Sequence, residues 1–119
     1  MNYFNEGNKF YNIQDYKRAI DCYKKSASQK LNEACSYYNC GVCFIKLKNF
    51  DDAVIMLNKA ISLKRESKYF FNLGYCYVME ECLNTALRLF NLAWSIDPND
   101  NDCEKAINLI ISKLHKKII

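Results

Sequence analysis

The sequence predicts an all-α protein built as an array of helical hairpins, and three observations predict it. Three eight-residue strings align almost letter for letter: YFNEGNKF from Tyr3, YYNCGVCF from Tyr37 and FFNLGYCY from Phe70, with starts 34 and 33 residues apart. Self-similarity at such a period marks one supersecondary unit copied along the chain. A second set follows the first at fixed distance: DYKRAIDCYKKSAS from Asp15, NFDDAVIMLNKAIS from Asn49 and CLNTALRLFNLAWS from Cys82. Composition agrees, since 3 Gly and 1 Pro among 119 residues leave little loop, and a chain half apolar suffices for one core.

Each string reads as a helix. Tyr37, Cys40, Gly41 and Phe44 fall at i, i+3, i+4 and i+7, as do Phe70, Leu73, Gly74 and Tyr77, so each quartet makes one apolar stripe. In the second helices Ala53, Leu57 and Ala60 form the stripe, as do Ala86, Phe90 and Ala93. Gly within a helix costs about 1 kcal/mol against Ala, so Gly7, Gly41 and Gly74 imply close approach of a neighbouring backbone or aromatic ring. From Asn99 onward the chain reads as one further helix. Asn101 with Glu104 predicts a variant capping box. Ile107, Ile110, Ile111 and Leu114 predict a one-sided stripe that covers the last hairpin, and Lys113, Lys116 and Lys117 suit the C-terminal end of the helix dipole.

The pattern resembles the tetratricopeptide repeat, whose signature runs W-x2-L-G-x2-Y, then A-x3-F, then a closing Pro. The third copy matches it best, through Phe70, Leu73, Gly74, Tyr77, Ala86, Phe90, Ala93 and Pro98. The second has Cys40 for Leu, Leu57 for Phe and no Pro; the first has Glu6 for Leu and Ser26 for a small Ala. The resemblance covers about Met1 to Pro98. It implies a right-handed α-solenoid of about seven helices in a single domain over 1–119, with repeats at about 1–33, 34–66 and 67–100 and a capping helix at about 101–117.

Enzyme chemistry is not expected. The glycines are isolated and make no phosphate loop; Ser26, Ser28 and Ser62 have no nearby His; Glu80–Glu81 and Asp51–Asp52 fall at inter-helix turns, where capping and solvation explain them. Of the 7 cysteines, Cys40 and Cys43 form a C-x-x-C, but a zinc site needs a second close pair or a His, and the one His is His115. Both lie at core-facing helical positions, where Cys packs as a small hydrophobe, so neither metal nor cofactor is expected. No run approaches about 18 apolar residues, and MNYFNEGNKF lacks a signal-peptide core, so the expectation is a cytoplasmic protein without a membrane span. A net charge of +4 is mild, spread over solenoid faces, and too sparse for nucleic acid, while it tilts any partner toward acidic or mixed character.

The resemblance also implies where a partner binds, since in this family the first helices line a concave groove. An aromatic residue follows each opening aromatic (Phe4, Tyr38, Phe71), and Asn follows that in all three copies (Asn5, Asn39, Asn72). This is similar to the asparagine ladders of O-linked N-acetylglucosamine transferases and kinesin light chains. A side-chain amide both donates and accepts, so it pairs with an extended peptide backbone whatever its sequence. At about 0.5–1.5 kcal/mol net per bond, three amides fall short of the roughly 8 kcal/mol of a micromolar complex. The aromatic ladder, with Val42, Ile45, Tyr75, Val78 and Met79, must supply the rest, and Lys46 and Lys68 tune the electrostatics. Chaperone adaptors of the family grip a terminal carboxylate with two Lys, two Asn and one Arg. Asn8, Asn39 and Lys68 match those places, whereas Phe4 and Asn72 replace cations, so a heat-shock clamp is at most weakened here. The reading is thus a non-catalytic protein–protein interaction module, an adaptor, scaffold or assembly chaperone, that binds an extended peptide. The alternative is homo-oligomerisation through exposed solenoid ends, with Tyr3, Phe10 and Tyr11 at one end and Ile118–Ile119 at the other.

Overall fold

The computed structural model describes residues 2–118, and of Ile118 the backbone alone. Among the described residues every regular element is an α-helix: α1 Tyr3–Asn12, α2 Tyr16–Ser28, α3 Glu33–Lys46, α4 Phe50–Leu63, α5 Ser67–Met79, α6 Leu83–Ile96 and α7 Asn101–Ile118. Packing divides the chain into two compact units, Met1–Arg65 and Glu66–Ile119. In the first unit α1 packs on α2, α2 on α3 and α3 on α4; in the second α5 packs on α6 and α6 on α7. The apolar chain end expected at Ile118–Ile119 lies outside the described residues and side chains.

The turn inside each hairpin is the same device three times. Gln14, Lys48 and Glu81 each adopt a left-handed backbone, with φ of 63°, 60° and 60°. The next residue's N–H reaches back to close the helix, Asp15 to Phe10 O, Asn49 to Phe44 O and Cys82 to Tyr77 O, at 2.8–2.9 Å. The left-handed residue's own N–H bonds Tyr11 O, Ile45 O and Val78 O, which completes a Schellman motif without glycine. The closing residue then opens the next helix. Asp15 accepts from the Arg18 N–H and Asn49 from the Asp52 N–H, while Cys82 offers no side-chain cap.

The expected stripes form the cores. In the first unit Ala19, Ile20, Tyr23, Cys40 and Cys43 pack together, with Phe4, Phe10, Tyr11, Tyr16, Phe44 and Met56 around them. In the second, Leu83, Ala86, Phe90, Ile107 and Ile110 do so, with Phe71, Tyr77 and Trp94 alongside. The glycines have the reason anticipated for them. A Cβ at Gly7 would lie 2.7 Å from the Tyr23 ring, one at Gly74 2.9 Å from Phe90, and one at Gly41 2.8 Å from Leu57. The second repeat differs only in having an aliphatic neighbour.

Ser26, the substitute for a small Ala, is fully buried, and its hydroxyl donates to Leu31 O at 2.8 Å. The buried Ser36 hydroxyl donates to Ser26 Oγ at 3.0 Å, so the two hydroxyls of adjacent helices are both partnered. Two expectations for α7 are corrected. The cap is Asp100 rather than Asn101, because the Asp100 carboxylate accepts the Asp102 N–H at 2.9 Å. Ile111 is 51% exposed, so the buried stripe runs through Cys103, Ile107 and Ile110, with Leu114 half-buried. Ile111 follows Ile110 by about 100° of helical turn, which carries it off the face that meets α6.

Candidate functional site

In the first unit four of the eight sequence-predicted residues line one hollow. Asn8 and Tyr11 of α1, Tyr23 of α2, and Tyr38, Asn39 and Val42 of α3 line an open cavity of about 240 Å³. Four of the six, Asn8, Tyr38, Asn39 and Val42, are groove residues expected from the sequence and its family resemblance; Tyr11 and Tyr23 are not. Tyr23 forms the floor. Its ring is buried and its hydroxyl donates to Asn8 Oδ1 at 2.6 Å. Burial pushes the phenol well above its usual range, with nearby Cys43 and Tyr11 adding to the shift and hydrogen bonding with Asn39 opposing it. The floor therefore stays a neutral O–H, and it holds the Asn8 amide with its carbonyl oxygen engaged inward.

The remaining predicted residues divide by exposure. Asn5 is exposed at the surface of α1, and Ile45 and Lys46 end α3 half-buried and exposed respectively. Phe4 packs against Tyr23 with ring centroids 5.9 Å apart, so much of that ring serves the core. In the second unit Phe71 does the same against Phe90 at 5.2 Å. The Asn72 amide donates to Lys68 O, one turn back, at 2.9 Å. Lys68 Nζ lies 3.9 Å from the Glu66 carboxylate. Tyr75 and Met79 are exposed at 40% and 47%, the largest apolar surfaces on α5.

Three rings assigned to a self-associating end are occupied within the hairpin. Lys25 Nζ stands 5.3 Å over Tyr3, Arg18 stands 5.8 Å over Phe10, and Tyr11 meets Tyr16 edge-on at 5.5 Å. The cysteine pair is buried as well. Cys40 Sγ donates to Ile20 O at 3.7 Å, and both Cys40 and Cys43 are inaccessible. Burial pushes both thiols up to about 12. No helix of the described residues is long and apolar enough to cross a membrane.

Comparison with known proteins agrees with this architecture. The tetratricopeptide repeat family profile matches residues 34–67. BBSome complex member BBS4 of Bos taurus is 31% identical over 101 residues, which is 83% of this chain and 19% of that protein. The chain thus spans about a fifth of that relative's length. Among solved structures, the first TPR of Spaghetti (RPAP3) bound to the HSP90 peptide SRMEEVD superposes with a TM-score of 0.90 at 24% identity, covering 95% of this chain and 90% of that one. The second TPR domain of human RPAP3, in complex with the HSP70 peptide SGPTIEEVD, gives 0.85 at 24%, covering 92% of each. The chain has the tetratricopeptide-repeat fold, the seven helices of its described residues matching three repeats and a capping helix.

Proposed function

We propose that this chain is a non-catalytic interaction module that binds an extended, acidic or mixed segment of a partner protein on the face of its first helices. The observation that carries the reading is the hollow of the first unit, where two amides and three tyrosines surround an opening of about 240 Å³. Asn39 supplies a donor and an acceptor for a peptide backbone, and Tyr38 and Val42 supply apolar contact beside it. Asn8 contributes its N–H2 group, since Tyr23 engages its oxygen. On the second unit Phe71, Asn72, Tyr75 and Met79 are the matching positions.

Charge supports an acidic partner. The first unit holds 11 Lys and Arg against 6 Asp and Glu, a net of +5, whereas the second holds 6 against 7. The two structural neighbours bind peptides ending in EEVD. Their ligand class suits this chain in its acidity, but the terminal carboxylate has less to meet here. Phe4 and Asn72 stand where cations would be, and Lys68 already faces Glu66 at 3.9 Å. Recognition therefore rests on backbone pairing and apolar contact more than on a chain end.

A peptide-array screen followed by Asn39→Ala and Tyr38→Ala tests this. Each substitution should weaken a genuine ligand several-fold, since about 1.4 kcal/mol is tenfold. Unchanged affinity in both variants overturns the assignment.

A further inference from the structure

Cations flank three serines along the chain. Ser28 and Ser62 stand at equivalent ends of α2 and α4 and share the pattern K-x-x-S-x-K, with Lys25 and Lys30 about the first and Lys59 and Lys64 about the second. Ser67 follows Lys64, Arg65 and Glu66 and precedes Lys68. The third hairpin's equivalent, Ser95, has Leu92 and Asp97 in the cationic places. A hydroxyl between cations suits a protein kinase, since kinases select substrates by charge pattern.

The fold separates these three. In-line phosphoryl transfer requires the hydroxyl to enter the kinase cleft on backbone released from its helix. Ser67 is half-buried at the start of α5, and its hydroxyl donates to Ala93 O at 2.8 Å. Ser28 is exposed, but the loop after it is closed. The Leu31 N–H bonds Ser26 O at 3.0 Å, and Leu31 O accepts from the buried Ser26 hydroxyl at 2.8 Å. After Ser62 the chain is already open. Lys64 is extended at φ −155° and ψ 138°, as is Glu66 at −121° and 145°. Ser62, Leu63, Lys64 and Arg65 are all exposed, so releasing the last two residues of α4 uncovers no buried side chain. Helix ends of this kind open at little cost. The Ser62 hydroxyl donates to Lys59 O at 2.7 Å, within its own turn. Lys64 at +2 and Arg65 at +3 lie in the open segment, and Glu66 at +4 is the one carboxylate of residues 59–66. Lys59, one turn back, holds its Nζ 5.4 Å over the Tyr37 ring.

We propose that Ser62 is a phosphorylation site for a serine/threonine protein kinase selective for cations at +2 and +3. In that step the Ser62 oxygen bonds the γ-phosphorus of ATP and the bond from that phosphorus to the bridging oxygen breaks. ADP leaves with the electron pair, and the hydroxyl proton passes to a carboxylate of the kinase. The phosphate takes the first unit from +5 to about +3, which on the reading above weakens its pull on acidic segments.

The folded full chain is incubated with a kinase of that selectivity and Mg-ATP, and the phosphate is located and timed by mass spectrometry. Free peptides of residues 56–66 and 22–32 give the rates that sequence alone dictates. The rate ratio of Ser62 to Ser28 should be about tenfold higher in the folded chain than between the peptides, because only the folded chain closes the loop after Ser28. Ser62→Ala should abolish the main product, and Ser28→Ala should leave it. Lys64→Gln combined with Arg65→Gln should slow labelling of Ser62 roughly tenfold. All these changes fall at exposed positions, so the cores stay intact. Labelling is read without any bound peptide, which separates failure here from failure of the first-unit hollow. No phosphate on Ser62 in the folded chain, the same ratio in chain and peptides, Ser67 as the main product, or indifference to Lys64 and Arg65 would each overturn the proposal.

Discussion

A methyl group at Gly7 would sit 2.7 Å from a tyrosine ring that is itself pinned by its hydroxyl to Asn8. Overpacking a core costs about 1–3 kcal/mol, more than the roughly 1 kcal/mol of helix propensity that Ala gains over Gly. Gly7→Ala and Gly74→Ala are therefore expected to lower stability by about 1 kcal/mol or more, read as a shift in the urea midpoint. The buried thiols make a second residue-scale prediction. Burial raises Cys40, Cys43 and Cys76 to about 12 from an ordinary 9. Below pH 9 both folded and unfolded chains hold these protons and the thiols contribute no pH dependence. Above it the unfolded chain releases them first, so stability falls from about pH 9 toward 12. A Cys40→Ala, Cys43→Ala variant should show a shallower fall in denaturation midpoints measured across that range.

At the scale of elements, the hairpin turns are built from residues that tolerate their backbone poorly. Lys48 at φ 60° and Gln14 at φ 63° take a conformation that disfavours any side chain. Lys48→Gly and Gln14→Gly should each stabilise by about 0.5–1 kcal/mol, since Gly relieves that strain at the C′ position and returns part of the gain as backbone entropy. Capping supplies the complementary prediction. Cys82 holds φ −88° and ψ 70°, nearly the values of Asp15 at −88° and 75°, yet makes no side-chain cap. Cys82→Asp should add about 1 kcal/mol and Asp15→Ala should remove about as much, both by thermal or urea unfolding. The carboxylate at position 82 would also suit the positive end of the α6 dipole.

For the whole molecule, charge is the property that matters most to a partner. A net of +5 in the first unit raises the local concentration of acidic segments and speeds their arrival. Affinity for an acidic peptide at the Tyr38–Asn39 hollow should therefore fall as salt rises. The Debye length shrinks from about 30 Å at 0.01 M to about 3 Å at 1 M. Fluorescence anisotropy across that range checks it, with a flat response excluding an electrostatic role. A neutral peptide that binds through the same amides should show little salt dependence.

The repeats, the helical hairpins and the buried stripes were legible in the amino-acid string, because a copied unit repeats both its period and its 3.6-residue pattern. The same alignment marked Tyr38, Asn39 and Val42, since equivalent helical positions face equivalent directions, and the family resemblance added Asn8. What it did not mark were Tyr11 and Tyr23, which reach the hollow by length from helix faces otherwise devoted to packing. Nor did it reveal that Phe4 and Phe71 spend their rings on the core, that Ile111 turns outward while Ile110 is covered, or that Asp100 rather than Asn101 caps α7. Local periodicity reports which face of a helix is apolar. Only the docking of one helix on another decides how much of that face is covered and which side chains meet across the gap.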